Sequence, residues 1–537
     1  MGGPAKRGEF REIIDMLIRM GTVAVLVGFA WGNWCVAGEL SLSAAIETIQ
    51  QADVKKHVDI LADDSFEGRA AGSRGGRAAG NYLQQLFAKY GLKPAGDGGT
   101  YFQLFHGGSR NILGILPGKD EDGTGGLVVV GAHYDHVGYG NRTNSFGPFG
   151  YVHNGADDNA SGTAALLEVV QALTEMKERP KYSILFVLWD GEEAGLLGSK
   201  YWVEHPTVDW KRVRLYLNLD MVGRLRPQGV EVYGTRTMPG LRQEIARANA
   251  GSDLKLDFRW EMTDNSDHYT FYQRSVPTLM FHTGLHDEYH RPQDDAHLIN
   301  NEGIERIARL TARTVWAEAN RDRFLPFRSQ CRSESESERD RYEVARAVNR
   351  SRLGIRWNPV EQDPEKGLLI SAVSPGGPAE QGGLKPGDRL KKFAGIPFTS
   401  ELAFLAQVQA APSDVVVEVA REGADEPVSL EVKLDLNPAP IGIAWANDSA
   451  EPGTIMLTNV TPGSVAAAAG LKPLDRVYEV NSQRFAEPGQ FKDLITQFAS
   501  PTKLLVDREG HVLEVELPLD LIRPLLDRDE PETKVGE

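Results

Sequence analysis

The chain has 537 residues, with 59 Lys and Arg against 75 Asp and Glu, giving a net charge of -16. That length predicts about three or four domains. The hydrophobic share of 41% and charged share of 25% exclude both wholesale disorder and a polytopic membrane protein. The acidic surplus excludes nucleic acid as a partner, because phosphate binding needs a basic surface, and reads instead as a device for solubility.

In chain order, Arg19 precedes a mainly apolar stretch from Met20 to Trp31, followed by small residues at Val36, Ala37 and Gly38. This is the layout of a signal peptide over 1–38, too short to span a bilayer comfortably. It predicts a periplasmic or secreted protein, with membrane contact only if the segment stays uncleaved. The preceding stretch carries Glu9, Glu12 and Asp15, which points to Met16 or Met20 as the true start. Cleavage near Gly38 leaves Cys331 as the sole cysteine. No intramolecular disulfide is then available, and any metal site must be built from His, Asp and Glu.

From 39 to 325 the chain alternates strand-like and helix-like runs, the pattern of an α/β domain. Residues 126–133, 182–190, 215–221 and 276–283 are apolar on both alternations, as expected of strands buried on both faces. Helices are predicted over 160–176, where Leu166, Leu167, Val169, Val170 and Leu173 share a side, and over 301–320.

Acidic and imidazole residues gather at the ends of these runs, in GAHYDH (131–136), NGADDNASG (154–162), WDGEEAGLLGS (189–199), LNLDMVG (217–223) and DEYHRP (287–292). Together they offer His133, Asp157, Glu193, Asp220 and His290 as metal ligands, with Glu192 beside them as a base. His133 and Asp135, two apart at a strand end, project to one face, so one can bind metal while the other supports it through the second ring nitrogen. Asp157 and Asp158 lie in a loop before a helix; capping alone does not need two carboxylates there. Glu192 and Glu193 follow a buried strand and point in different directions, so one can ligate while its neighbour faces a water. Asp220, between Leu219 and Met221, is costly unless paired or metal-bound. Several histidines crowd the last phrase, namely His268, His282, His286 and His297, so spacing alone does not single out His290.

These phrases, with LADDSFEGRAAGSRGGRAAGNYL at 61–83, make the stretch from His57 to Asn320 resemble the two-zinc aminopeptidase family typified by bacterial leucyl aminopeptidase. The resemblance implies a three-layer αβα mixed-sheet zinc exopeptidase domain that holds two zinc ions. Asp157 would bridge them, His133 and Asp220 would complete one site, and Glu193 and His290 the other. It further implies Glu192 as general base, peptides as substrates, and a cis bond between Asp157 and Asp158. Alternatives are a carboxypeptidase using Arg224 or Arg274, a glutaminyl cyclase-like enzyme, or a catalytically dead peptide-binding scaffold. The segment from Gly138 to Asn154 and the loop from Asn265 to Tyr269 are expected at the mouth of the site.

Residues 326–345 lack apolar periodicity and read as a solvated linker. Beyond them, SPGGPAEQGGLKPGDRL (374–390) recurs as TPGSVAAAAGLKPLDRV (461–477), and LGI at 353–355 recurs as IGI at 441–443. Two copies of one small domain are implied, at 346–436 and 437–521, before an acidic tail at 522–537. They resemble bacterial PDZ domains, which are small, partly open β-barrels. The resemblance implies that Gly354 and Ile355, and Gly442 and Ile443, capture the C-termini of peptides or proteins. Leu474 stands where the first copy has Gly387, which places that turn in question.

Overall fold

The computed structural model describes residues 40–119, 125–345, 351–358, 365–497 and 501–526. The leader or anchor expected over 1–38 lies outside the described residues, as does most of the acidic tail. Among the described residues, no helix is long and apolar enough to cross a membrane.

The first unit is built on one nine-stranded sheet: β1 (Lys93–Pro94), β2 (Phe102–Leu104), β3 (Arg110–Leu116), β4 (Leu127–His133), β5 (Ser183–Trp189), β6 (Val213–Leu219), β7 (Val230–Tyr233), β8 (Leu256–Phe258) and β9 (Thr278–His282). Its order is β1-β3-β5-β4-β6-β9-β7-β8, with β2 beside β3. The middle four, β5, β4, β6 and β9, are parallel, while β3 and β7 join them antiparallel. Alternation divides the side chains between two layers. Val128, Val130, Phe186, Leu188, Leu215 and Leu217 pack into the core shared with helices Gln51–Leu61, Gly162–Thr174 and Asn301–Ala319. Val129, Leu185, Val187, Trp189 and Tyr216 face the opposite way, onto Trp202 and Phe271 of helices Leu197–Glu204 and His268–Gln273. This is the three-layer mixed α/β fold expected.

Two further sheets follow with one topology. The first runs through Ile355–Trp357, Leu368–Val373, Arg389–Phe393, Asp414–Ala420 and Val428–Lys433, and the second through Ile443–Ala446, Ile455–Val460, Arg476–Val480, Thr502–Arg508 and His511–Leu517. The sequence repeat has a repeated structural cause. Asp388 takes a bidentate pair of 2.7 Å bonds from Arg421, and Asp475 takes the same pair from Arg508. The two turns also agree: the Gly387 amide donates to Ile370 and the Leu474 amide to Leu457. Leu474 adopts this turn at a φ of 73°.

The linker differs from expectation. Residues Glu336–Tyr342 form a helix whose Ser335 and Glu338 make a reciprocal capping box. Cys331 is buried, and Arg328 pairs with Glu334 at 2.6 Å. Charge pairs and isolated apolar contacts, such as Phe327 on Tyr272 and Tyr342 on Trp260, order this segment without a periodic apolar face, so hydrophobic periodicity does not register it.

Candidate metal centre

Because β4, β5, β6 and β9 are parallel, their C-terminal ends share one edge of the sheet, where α/β folds place their sites. His133 ends β4, Glu192 and Glu193 follow β5, Asp220 follows β6, and the 286–294 segment follows β9. A turn over Ala156–Ser161 enters between them. Asn159 ties it down: its Nδ2 donates to the Leu219 carbonyl at 2.9 Å, and its Oδ1 accepts from the amides of Gly162 and Met221. A Cβ on Gly162 would lie 2.3 Å from Asn159 Oδ1, so the helix must begin with glycine.

Two groups of ligand atoms result, each within 4.8 Å: His133, Asp158 and Asp220, and His136, Asp158 and Glu193. His290 joins the second group, its Nε2 standing 3.1 Å from Asp158 and 3.0 Å from Glu193. Asp158, and not the expected Asp157, is common to both. The Asp157 carboxylate turns away, accepting from the Gly223 amide at 2.6 Å and the Ser161 hydroxyl at 3.0 Å, with His286 at 3.2 Å. The cis bond likewise falls one residue later than expected, between Asp158 and Asn159.

Asp135 stands beside the second ring nitrogen of His133, as expected, and does more. His133 Nδ1 lies 3.2 Å from the Asp135 carbonyl and 3.8 Å from its carboxylate, and that carboxylate accepts from the backbone amides of Glu192 and Glu193. It therefore positions the paired glutamates. His136, three residues after His133 and outside the expected ligand set, places its Nδ1 2.7 Å from Glu193 Oε1. The other histidines separate. His297 is exposed, His282 accepts from the Gly284 amide, and burial holds His268 neutral, down at about 4.

Electrostatics divide the acids. Burial opposes ionisation of Asp158, but His133, His136 and His290 outweigh it and hold this carboxyl well below the usual range. Burial and Asp158 oppose ionisation of Glu193, and His136 and His290 again prevail. Glu192 goes the other way: burial, reinforced by Glu193, Asp267 and Asp220, lifts it well above the ordinary carboxylate range against the pull of His133. Paired acids driven apart by their surroundings suit a ligand and a proton carrier.

With this geometry in view, residues 111–315 match peptidase family M28 and residues 369–421 match a PDZ domain. The chain carries an M28 peptidase domain followed by a PDZ domain. Leupeptin-inactivating enzyme 1 of Streptomyces exfoliatus is 30% identical over 235 residues, which cover 43% of this chain and 48% of that protein. Aminopeptidase YwaD of Bacillus subtilis is 29% identical over 225 residues, covering 40% of this chain and 46% of that protein. The chain thus spans about half the length of these curated relatives. A crystal structure of LapA aminopeptidase from Legionella pneumophila aligns over 52% of this chain and 75% of its own, at 19% identity and a TM-score of 0.43.

The M28 domain's donor set fits a metal. Asp135, Asp157, Asp158, Asp220 and Asp294 are all buried here, and His136 Nε2 has no hydrogen-bond partner among the described residues. So dense a cluster of buried acid is stable when cations compensate it, and its N and O donors are those zinc accepts. Two supporting residues escaped sequence reasoning. Asp294 Oδ2 accepts from the amides of both Asp157 and Asp158; its signal was its place in HRPQDD. Arg69, fully buried, donates to the carbonyls of Leu61, Tyr134, Asn154 and Gly155, clamping the His133 strand end to the Asp158 turn. Arg224, expected as a carboxylate receptor in a carboxypeptidase, already faces Asp294 at 3.2 Å and Glu288 at 3.5 Å.

In the PDZ-like units, Gly354 and Gly442 take φ of 78° and 79° at the start of strands that end their sheets. In each unit a tryptophan of that strand packs edge-on against the neighbouring helix, Trp357 on Phe404 and Trp445 on Phe491.

Proposed function

We propose that this protein is an exported zinc aminopeptidase that holds two ions and releases residues one at a time from the amino ends of peptides. The observation that carries this reading is the Asp158 carboxylate shared by two ligand groups, with Glu192 beside them, in an M28 domain. Asp158 would bridge the ions, His133 and Asp220 would complete one set, and Glu193 and His290 the other, with His136 fixing Glu193. Bound zinc supplies Lewis acidity that polarises a carbonyl and acidifies water.

The chain's own residues supply the remainder. Asp135 holds the Glu192–Glu193 backbone so that one side chain ligates and the other stays free. Glu192, lifted by its surroundings, accepts the proton from the attacking water and delivers it to the departing amine. A free substrate amino group would be drawn to the Asp220 carboxylate, which His133 holds ionised against its burial. The PDZ-like edge strands would take peptide or protein C-termini, and the leader-like segment supports export. Cell fractionation that finds the protein in the cytoplasm contradicts the latter.

Metal analysis together with cleavage of amino-blocked and free peptides tests the central reading. Two zinc ions per chain and cleavage of free peptides only are expected. Glu192→Gln should retain the metal and lose activity by about 10²- to 10⁴-fold. Equal cleavage of blocked peptides sinks the aminopeptidase reading; metal loss in Glu192→Gln removes the base from its assigned role.

A further inference from the structure

The segment from Gly138 to Asn154 exposes four aromatic rings within thirteen residues: Tyr139 at 51%, Phe146 at 64%, Phe149 at 47% and Tyr151 at 62%. Such a concentration of exposed aromatic surface on an ordered loop marks a contact site. The loop is firmly held. The Phe146 amide and the Ser145 hydroxyl both donate to the His290 carbonyl, Arg291 donates to the carbonyls of Phe146 and Gly147, the Gly150 amide donates to Tyr139, and Ser145 pairs with His153 at 2.6 Å. It is also continuous with the metal centre, since the Phe146 ring lies 6.2 Å from Tyr289 and 6.3 Å from His290.

The two ends of the centre differ in enclosure. On the side of His133 and Asp220, whose charges act on Asp267, the surroundings are closed: Asp267, His268 and Ser199 are fully buried. On the side of His290 the Phe146 ring stands open. An enzyme that removes one residue needs a closed end for that residue and an open path for the rest of the chain.

Resting on the aminopeptidase reading, we propose that the 138–154 loop is a shelf that binds the part of the peptide beyond the cleaved bond, stacking its side chains on the loop's exposed rings, Phe146 beside His290 together with Tyr139, Phe149 and Tyr151. Apolar and aromatic residues just after the bond are the preferred occupants, because the shelf offers rings and no free cation of its own besides Arg142.

The test compares an amino-acid p-nitroanilide with a series of peptides from two to six residues that share its first residue. For the wild type, kcat/KM should rise with peptide length, chiefly through KM. In the double variant Phe149→Ala, Tyr151→Ala the ratio of hexapeptide to anilide kcat/KM should fall about tenfold. Phe149→Leu, Tyr151→Phe, which keeps the apolar surface, should restore most of it. Zinc content and melting temperature of each variant check that the centre is intact. An unchanged ratio, or an equal drop on both substrates, overturns the shelf while leaving the aminopeptidase reading in place. A wild type that cleaves neither substrate overturns both.

Discussion

Asp157 and Asp158 carry the same group into the same buried turn, and their partners give them opposite work. Asp158 meets three imidazoles, whereas Asp157 spends its oxygens on the Gly223 amide, the Ser161 hydroxyl and His286. Asp158→Asn should therefore abolish binding of both ions by removing the shared charge. Asp157→Asn keeps an acceptor for Gly223 and should cost about 1–2 kcal/mol of stability while the metal remains. Zinc stoichiometry of the two variants decides between them, and the reverse pattern would restore Asp157 as the bridge. Arg69 offers a second test. Its guanidinium satisfies four carbonyls in a site where burial brings it down to about 10. Arg69→Leu strands those carbonyls and should cost about 3 kcal/mol or more, read from chemical denaturation. At this scale, sequence found the right short phrases but could not choose between adjacent acids. In a turn, the side that each carboxylate faces is set by partners far along the chain, here Gly223, His286 and Asp294.

Elements were more legible than individual ligands, because a strand buried on both faces must be largely apolar on both alternations, and β4, β5 and the middle of β9 are, while β6 is apolar on one alternation and carries Arg214 and Asn218 on the other. That same property makes them neighbours in a parallel array and brings the ends of distant segments to one edge. The helices carried a different signal, and one polar residue in them stands out. Glu168, in helix Gly162–Thr174, is buried against His57 of helix Gln51–Leu61, with its Oε1 3.7 Å from His57 Nε2. Burial, helped by Asp53, lifts Glu168 to about 8, while burial and Lys56 bring His57 down to about 4. For Glu168 the folded value exceeds the ordinary 4.5, so its stability contribution is present below about 4.5 and is lost as pH rises through about 8. His57 has the opposite sign: its contribution is present above 6.5 and is lost as pH falls through about 4. Glu168→Gln removes only the first slope, of up to about 1.4 kcal/mol per pH unit. The melting temperature of this variant relative to the wild type should climb between pH 5 and pH 8. A constant difference across that range would mean that the two groups share a charge pair instead.

For the whole molecule, the repeat was plain from sequence but the way the second PDZ-like unit meets the peptidase domain was not, because the joint is made by charges scattered over four segments. Arg476, almost fully buried, donates to Glu451 at 2.8 Å and pairs with Glu343 of the linker helix region. Arg242 of the peptidase domain reaches Asp507 at 3.3 Å, and Arg247 reaches Glu479 at 2.8 Å. Arg236 pairs with Glu334 and Asp448 and lies 3.6 Å from the Trp260 ring. Backbone bonds complete the joint, from Leu256 to Glu509 and from Gly240 to Ala450. Linked through buried pairs rather than a flexible tether, the peptidase domain and the second PDZ-like unit should unfold as one cooperative body. Arg476→Ala leaves Glu343 and Glu451 buried without that partner, a loss of about 3–5 kcal/mol concentrated at the joint. Calorimetry of the wild type should then give a single transition spanning both units, and the variant two, with the PDZ-like unit melting first. Arg476→Lys, which keeps the charge but loses the forked geometry, should fall between them. One unchanged transition in Arg476→Ala would mean that apolar contact and backbone bonding hold the units together, and that the buried charges only select the angle at which they meet.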